Sequence, residues 1–270
     1  MRIGATAVAT IWIASQIHAA TVPLPVAEIL ARALAVEKAL DIERAHYIYR
    51  EHVDNRQPNS KIRHTNDYDV IYLEGQSYQR LVAINGKPLT GKRAVEEERR
   101  FQMTRAERKA ADALRKPDLQ VVHAGLELER VIRLMTHTLT GEELIGGRAA
   151  WVIKSEPPTA QPLESISGKD RETLCYRSTL WIDKEDFAIA QLHWEVLRKG
   201  PEVLPGSYVT RTFQRMAPGL WVLDALTGEF FAGPPHPKDH WKQTHRFTDY
   251  HKFGSESNVS FDLPDTKGPN

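Results

Sequence analysis

A chain of 270 residues with 41% hydrophobic and 26% charged side chains has the apolar material for a packed core, as one large domain or two small ones. Its 36 Lys and Arg against 35 Asp and Glu leave a net charge of +1, which excludes a global electrostatic pull toward nucleic acid or an anionic membrane. A single cysteine, Cys175, excludes an intrachain disulfide, and its strand-like setting between Leu174 and Tyr176 predicts a buried, inert thiol.

Residues 1–20 read as an export signal. Arg2 supplies the basic start, Ile3–Ile17 is a mostly apolar run too short to span a bilayer, and His18-Ala19-Ala20 offers small residues for cleavage. A periplasmic protein is therefore expected, without a lipid anchor, since no cysteine lies near the cleavage point. Residues 21–270 are read as a single β domain. After Pro23 and Pro25, the spacing of Ile29, Ala33, Val36 and Leu40 predicts a helix over Val26–Arg44, with Glu28, Arg32, Glu37 and Lys38 off the apolar stripe.

Strands are predicted at His46–Val53, Tyr68–Leu73 and Ser77–Ile84, with Asn55–Thr65 as an exposed loop and Asn85-Gly86 as a turn favouring φ > 0. Arg93–Lys116 interrupts them as a charged helical insertion stopped by Pro117. Eight basic side chains against five acidic ones and few apolar positions predict a solvated helix; contact with lipid headgroups or a partner protein is the alternative. Strands resume at Arg130–Glu143 and Arg148–Glu156 around Gly146-Gly147. They continue through the hairpin Leu174–Val196, which turns at Asp183–Asp186, and through Tyr208–Met216, Leu220–Thr227 and Trp241–Phe253. Residues 254–270 read as a loose tail. The sum is a mainly β (α+β) protein: a large curved antiparallel sheet or incomplete β-barrel of about ten strands, with the N-terminal helix and the charged insertion covering one side.

Catalytic motifs are weak throughout. Gly86–Lys92 has phosphate-loop spacing, but Arg93 stands where a metal-binding hydroxyl belongs. His236, His240, His245 and His251, with Asp239 nearby, invite a metal site, yet Pro235 and Pro237 break any helix that would converge them. Glu142-Glu143 and Asp183, Glu185 and Asp186 sit at turns, where solvated carboxylates are ordinary. Asn258-Val259-Ser260 is a bare glycosylation pattern. No G-x-S-x-G, H-E-x-x-H or G-x-G-x-x-G occurs, so no catalytic residue, metal or cofactor is assigned, and a binding role is expected before an enzymatic one. The tryptophans are more telling. Trp151, Trp181, Trp194, Trp221 and Trp241 fall on different predicted strands, and a curled sheet can line its concave face with such residues around an apolar ligand. Trp181, Trp194, Trp151 and Trp221 are the candidate ligand-binding residues, with core packing as the rival role.

The order of export signal, helix and strands resembles the LolA-like class of bacterial outer-membrane lipoprotein-sorting proteins. So do Tyr68–Leu89 (YDVIYLEGQSYQRLVAINGKPL), Gly147–Ile153 (GRAAWVI) and Thr179–Ile189 (TLWIDKEDFAI), the last in the W-x-D-x-x-x-x-x-I style. The resemblance implies an incomplete β-barrel with helices over its concave side and an apolar cavity between. It implies a periplasmic carrier of an acyl chain, lipid or lipoprotein. Two alternatives stand beside it: an envelope interaction or sensor module working through Arg93–Lys116, and a metal-dependent hydrolase using the His236–His251 region.

Overall fold

The computed structural model describes residues 24–58, 63–73, 76–112, 124–158, 166, 168–199, 204–231 and 240–253. The predicted export signal, residues 113–116 of the charged helix, His236, Asp239 and the 254–270 tail with Asn258 lie outside them. The protein is mainly β, and its described residues form eleven strands in one curved, unclosed antiparallel sheet and four helices. Among the described residues, no helix is long and apolar enough to cross a membrane.

Helix α1 spans Val26–Arg44, the range its apolar spacing predicts. Pro25 opens it, its carbonyl accepting the N–H groups of Glu28 and Ile29. Strands β1 (Tyr47–Arg56), β2 (Arg63–Leu73), β3 (Gln76–Ile84) and β4 (Lys87–Pro88) follow as a meander. Then come α2 (Gly91–Asp112) and α3 (Ala124–Leu134), strands β5 (Thr136–Ile145) and β6 (Arg148–Glu156), and the short helix α4 (Gly168–Thr173). Strands β7 (Tyr176–Asp183), β8 (Ile189–Val196), β9 (Tyr208–Ala217), β10 (Leu220–Phe231) and β11 (His240–Lys252) complete the sheet. The spatial order is β4-β3-β2-β1-β11-β10-β9-β8-β7-β6-β5. Strand β1 pairs with β11, so the two ends of the described chain meet in mid-sheet. The edges, β4 and β5, are joined through the helical insertion.

Several local predictions are corrected. The loop predicted over Asn55–Thr65 is strand at Asn55 and Arg56, the end of β1, and at Arg63, His64 and Thr65, the start of β2, which pair across the two strands. The strand predicted over Arg130–Glu143 is helix as far as Leu134, because Leu128, Val131, Ile132 and Met135 repeat at helical spacing and Leu128, Val131 and Met135 are buried. Leu174 and Cys175 form a buried turn after α4 rather than the start of a strand. There the Cys175 thiol donates to the Arg171 carbonyl at 3.3 Å, and burial pushes its pKa up. Glu37, predicted off the stripe of α1, is fully buried within it.

The main core lies between α1, α3 and one face of β6–β8, with Ile29, Leu30, Ala33 and Leu128 packed on Ile153, Leu180, Ile182 and Leu192. Each such side chain contributes about 1.5–3 kcal/mol on burial. A register shift between Trp181 and Ile182 breaks strict alternation on β8, so that Ile189 joins Leu192 in this core. Glu37 answers the irregularity. Its Oε1 accepts the Ile189 N–H at 3.1 Å, and its Oε2 accepts from Arg44 at 2.9 Å. Arg44 in turn donates to the Trp221 carbonyl at 2.7 Å and lies over the Phe213 ring.

Helix α2 is less solvated than its composition predicts. Phe101 packs edge-on against Tyr78 beside Ile71, and the Tyr78 hydroxyl donates to Glu97 at 3.0 Å. Burial, followed by the Glu97 carboxylate, pushes the Tyr78 phenol up to about 12. Arg100 clasps Glu97, and Arg108 donates to the Gln76 and Ser77 carbonyls at 2.8 and 3.1 Å. Arg93, Arg99, Arg105 and Lys109 stay on the exposed face.

At the outer end of β1–β2, Arg63 and Arg56 both donate to Asp54, at 2.8 and 2.9 Å. Arg63 is the leading cause of a carboxyl pKa pulled down to about 2, against the opposing effect of burial. A folded value below the unfolded one, about 3.9, gives stability that is full above the unfolded value and lost as pH falls toward about 2. Asp54→Asn is therefore expected to lower the urea midpoint at pH 6, with the gap to wild type closing between about pH 4 and about pH 2. Glu37→Ala is expected to lose about 3 kcal/mol in urea unfolding, the low end for a broken buried pair, because Asp41 remains 3.5 Å from Arg44.

Candidate functional site

Helices α3 and α4 stand over β7–β10 and leave a cavity of about 480 Å³ between them. Its floor is apolar and comes from alternate positions of adjacent strands: Trp194 and Val196 on β8, Val209 on β9, Phe230 on β10. Val131 and Met135 of α3 form the wall. The charged rim is Glu127 and Arg130 on α3 with Lys169 and Glu172 on α4.

Trp194 is held on both sides. Its indole stacks on Tyr176 at 6.2 Å, and the Arg211 guanidinium lies 4.9 Å over its ring while pairing with Glu127 at 3.3 Å. Phe230 stacks on Trp241 at 5.4 Å. Its ring also lies over Gly228, where a Cβ would meet it at 2.8 Å and the Tyr208 carbonyl at 3.0 Å, so this position needs glycine to seat the ring. Ser178, which also lines the cavity, pairs across the sheet with Trp194 on one side and Ser155 on the other. Ser155 is engaged by His137 Nδ1 at 2.8 Å, whose Nε2 faces the Ile132 carbonyl at 3.1 Å.

The four candidate tryptophans part company. Trp194 lines the cavity. Trp151 is buried in the main core beside Phe187. Trp221 packs with Leu40, Ala188 and Ala190, its Nε1 donating to Asp186 at 2.8 Å. Trp181 pairs with Val152 and Gln191 on the face turned away from Leu180 and Ile182, and donates to Glu143 at 2.8 Å. The residues that sequence reasoning missed are those of α3 and α4. For α3 the i, i+3, i+4 recurrence of Leu128, Val131, Ile132 and Met135 was the available signal.

The remaining motifs take structural roles. Asn85 and Gly86 turn with φ of 50° and 71° into β4, and Gly91 opens α2. Asp183 is buried. Burial works to raise its pKa, but Arg148, at 2.7 Å, and the Glu185 and Asp186 N–H groups outweigh it and hold the carboxyl below the usual range. His240 meets Glu229 at 2.5 Å, and His245 meets Glu51 at 2.6 Å. Among the described residues, no three His, Cys, Asp or Glu side chains converge as a metal site.

No protein-family model matches the chain, and no curated protein matches it. Solved structures similar to it include an outer-membrane lipoprotein-sorting protein domain from Vibrio parahaemolyticus, at 11% identity and a TM-score of 0.41, covering 85% of this chain and 95% of that one. A DUF1329 family protein from Desulfovibrio piger is similar at 10% identity and a TM-score of 0.40, over 87% and 96% of the two chains. A LolA superfamily protein from Nitrosomonas europaea is similar at 10% identity and a TM-score of 0.38, over 90% and 96%.

Gly228→Ala is expected to lose about 1–3 kcal/mol in chemical unfolding, the usual range for overpacking. Adding Phe230→Leu should restore part of it, since the smaller side chain removes the ring clash and leaves the close approach to the Tyr208 carbonyl.

Proposed function

We propose that the protein is an exported, non-enzymatic binding protein of the bacterial envelope that holds an acyl chain or similar apolar ligand in the cavity beside Trp194. The carrying observation is the cavity itself. Its 480 Å³ falls within the ~300–1,000 Å³ usual for small-molecule sites, and its floor and α3 wall are Trp194, Val196, Val209, Phe230, Val131 and Met135. Binding there is driven by removing hydrocarbon from water, at about 0.8 kcal/mol per buried methylene. Helices α3 and α4 form one side of the cavity, so their small displacements would set access. Export rests on the character of residues 1–20.

A lipophilic fluorescent probe, N-phenyl-1-naphthylamine, tests the reading. The full-length mature protein should enhance its emission saturably. Met135→Trp, which narrows the cavity, should weaken binding at least tenfold, whereas Trp181→Phe, on the opposite face, should leave it unchanged. Absence of enhancement by the wild type overturns the proposal.

A second reading is favoured by the outer face of α2, where Val95 and Met103 are 64% and 52% exposed beside Arg99. There the protein would act as an envelope interaction module. The double reversal Arg99→Glu with Arg105→Glu should then abolish recovery of a cross-linked envelope partner and leave probe binding intact.

A further inference from the structure

We propose that the cavity is specific for a single-chain amphiphile with an oxyanion head group, whose acid end meets Arg130 and Ser178 while its hydrocarbon runs along Trp194, Val196 and Phe230. This rests on the apolar-ligand reading above and names the other end of the ligand.

Two polar groups of the cavity lack partners. Ser178 is 1% exposed, and its hydroxyl has no hydrogen-bond partner. Arg130 Nε is buried and likewise has no partner. A buried polar atom left unsatisfied is destabilising, so two of them on residues that border one cavity are a standing penalty that a bound group can relieve.

The neighbouring charges decide the sign of that group. Glu127 is turned to Arg211 at 3.3 Å, Lys169 to Glu172 at 2.9 Å, Glu129 to Lys38 at 3.0 Å, and Arg133 to Asp170 at 2.8 Å. Among the described residues no carboxylate pairs with the Arg130 guanidinium. A guanidinium offers donors only, so its complement is an acceptor, and an anionic oxygen forms the stronger, charge-assisted bond. The Ser178 hydroxyl adds one further donor. A carboxylate and a phosphate monoester share this chemistry. The apolar floor beside these groups accepts a hydrocarbon chain, and the cavity volume suits one chain rather than several.

Competition against N-phenyl-1-naphthylamine on the full-length mature protein separates the possibilities, using hexadecanoate, hexadecyl phosphate, hexadecanol and hexadecyltrimethylammonium at matched sub-micellar concentrations. The two oxyanions should displace the probe at least tenfold better than the alcohol, and the cation no better than the alcohol. Preference for one oxyanion identifies the head group as carboxylate or phosphate, and either result supports the proposal. Arg130→Gln should bring both oxyanions down to the level of the alcohol while leaving the alcohol unchanged, and Arg130→Lys should keep most of the preference. Ser178→Ala should cost the oxyanions about threefold, the smaller loss that a neutral hydrogen bond carries. An unchanged urea midpoint in Arg130→Gln separates a lost contact from a lost fold. Equal displacement by alcohol and oxyanions in the wild type, or an undiminished preference in Arg130→Gln, overturns the head-group assignment while sparing the apolar site. Failure of all four amphiphiles to displace the probe overturns both.

Discussion

A carboxylate with no exposed surface, Glu37, sits at the centre of this fold. A buried charge without partners costs several kcal/mol, so α1 can settle only where both its partners are in reach. Those partners are the Arg44 guanidinium two turns along the same helix and the Ile189 N–H, from a residue 152 positions away in sequence. Arg44 extends the link to the Trp221 carbonyl of β10. Helix α1 is thereby pinned along its axis across β8 and β10. It then provides the seat for α3, to which Lys38 and Glu129 also tie it at 3.0 Å. With α3 in place, its Val131 and Met135 stand off the sheet and the cavity beside Trp194 exists. The cavity is a consequence of where one buried ion pair permits a helix to lie.

Leaving the sheet unclosed exposes two edges to unwanted pairing. One is β4, two residues long and ending in Pro88, which removes a donor from the ladder. The other is β5, where a register shift between Leu139 and Gly141 and the charged pair Glu142 and Glu143 make the strand a poor template. Between these edges runs the helical insertion, and α2 is anchored by Glu97, Arg100 and Arg108 rather than left in solvent. Polar side chains thus hold the periphery together where apolar area is scarce. The apolar residues are concentrated under α1 and α3.

The tryptophans show where local pattern stops being informative. Alternation places Trp194 on the face of Leu192 and Val196 and Trp181 on the face of Thr179, and both placements hold. Pattern alone does not say which of a sheet's buried positions fill the core and which border space. Trp151 and Trp221 are as buried as their composition suggests, yet their rings meet Phe187 and Leu40. Trp194 differs because α3 and α4 arch over it, and α4 carries no periodic signal in its six residues, Gly168–Thr173. Arg130 is equally hidden, since the sequence pattern predicts a strand over Arg130–Glu143.

The residues by themselves determined the elements whose signals are local. The apolar spacing of Ile29, Ala33 and Leu40 specifies α1 to its ends, Asn85-Gly86 and Gly146-Gly147 specify turns, and the alternation of Leu180, Ile182, Leu192 and Trp194 specifies paired strands. Only the tertiary structure decided that β1 pairs with β11, that Glu37 is buried, that Arg130–Leu134 is helix rather than strand, and that Trp194 alone of the four candidates faces the cavity. Periodicity is a property of neighbours a few residues apart, whereas these outcomes depend on partners far off in the chain: Ile189 for Glu37, β11 for β1, and α3 and α4 for Trp194.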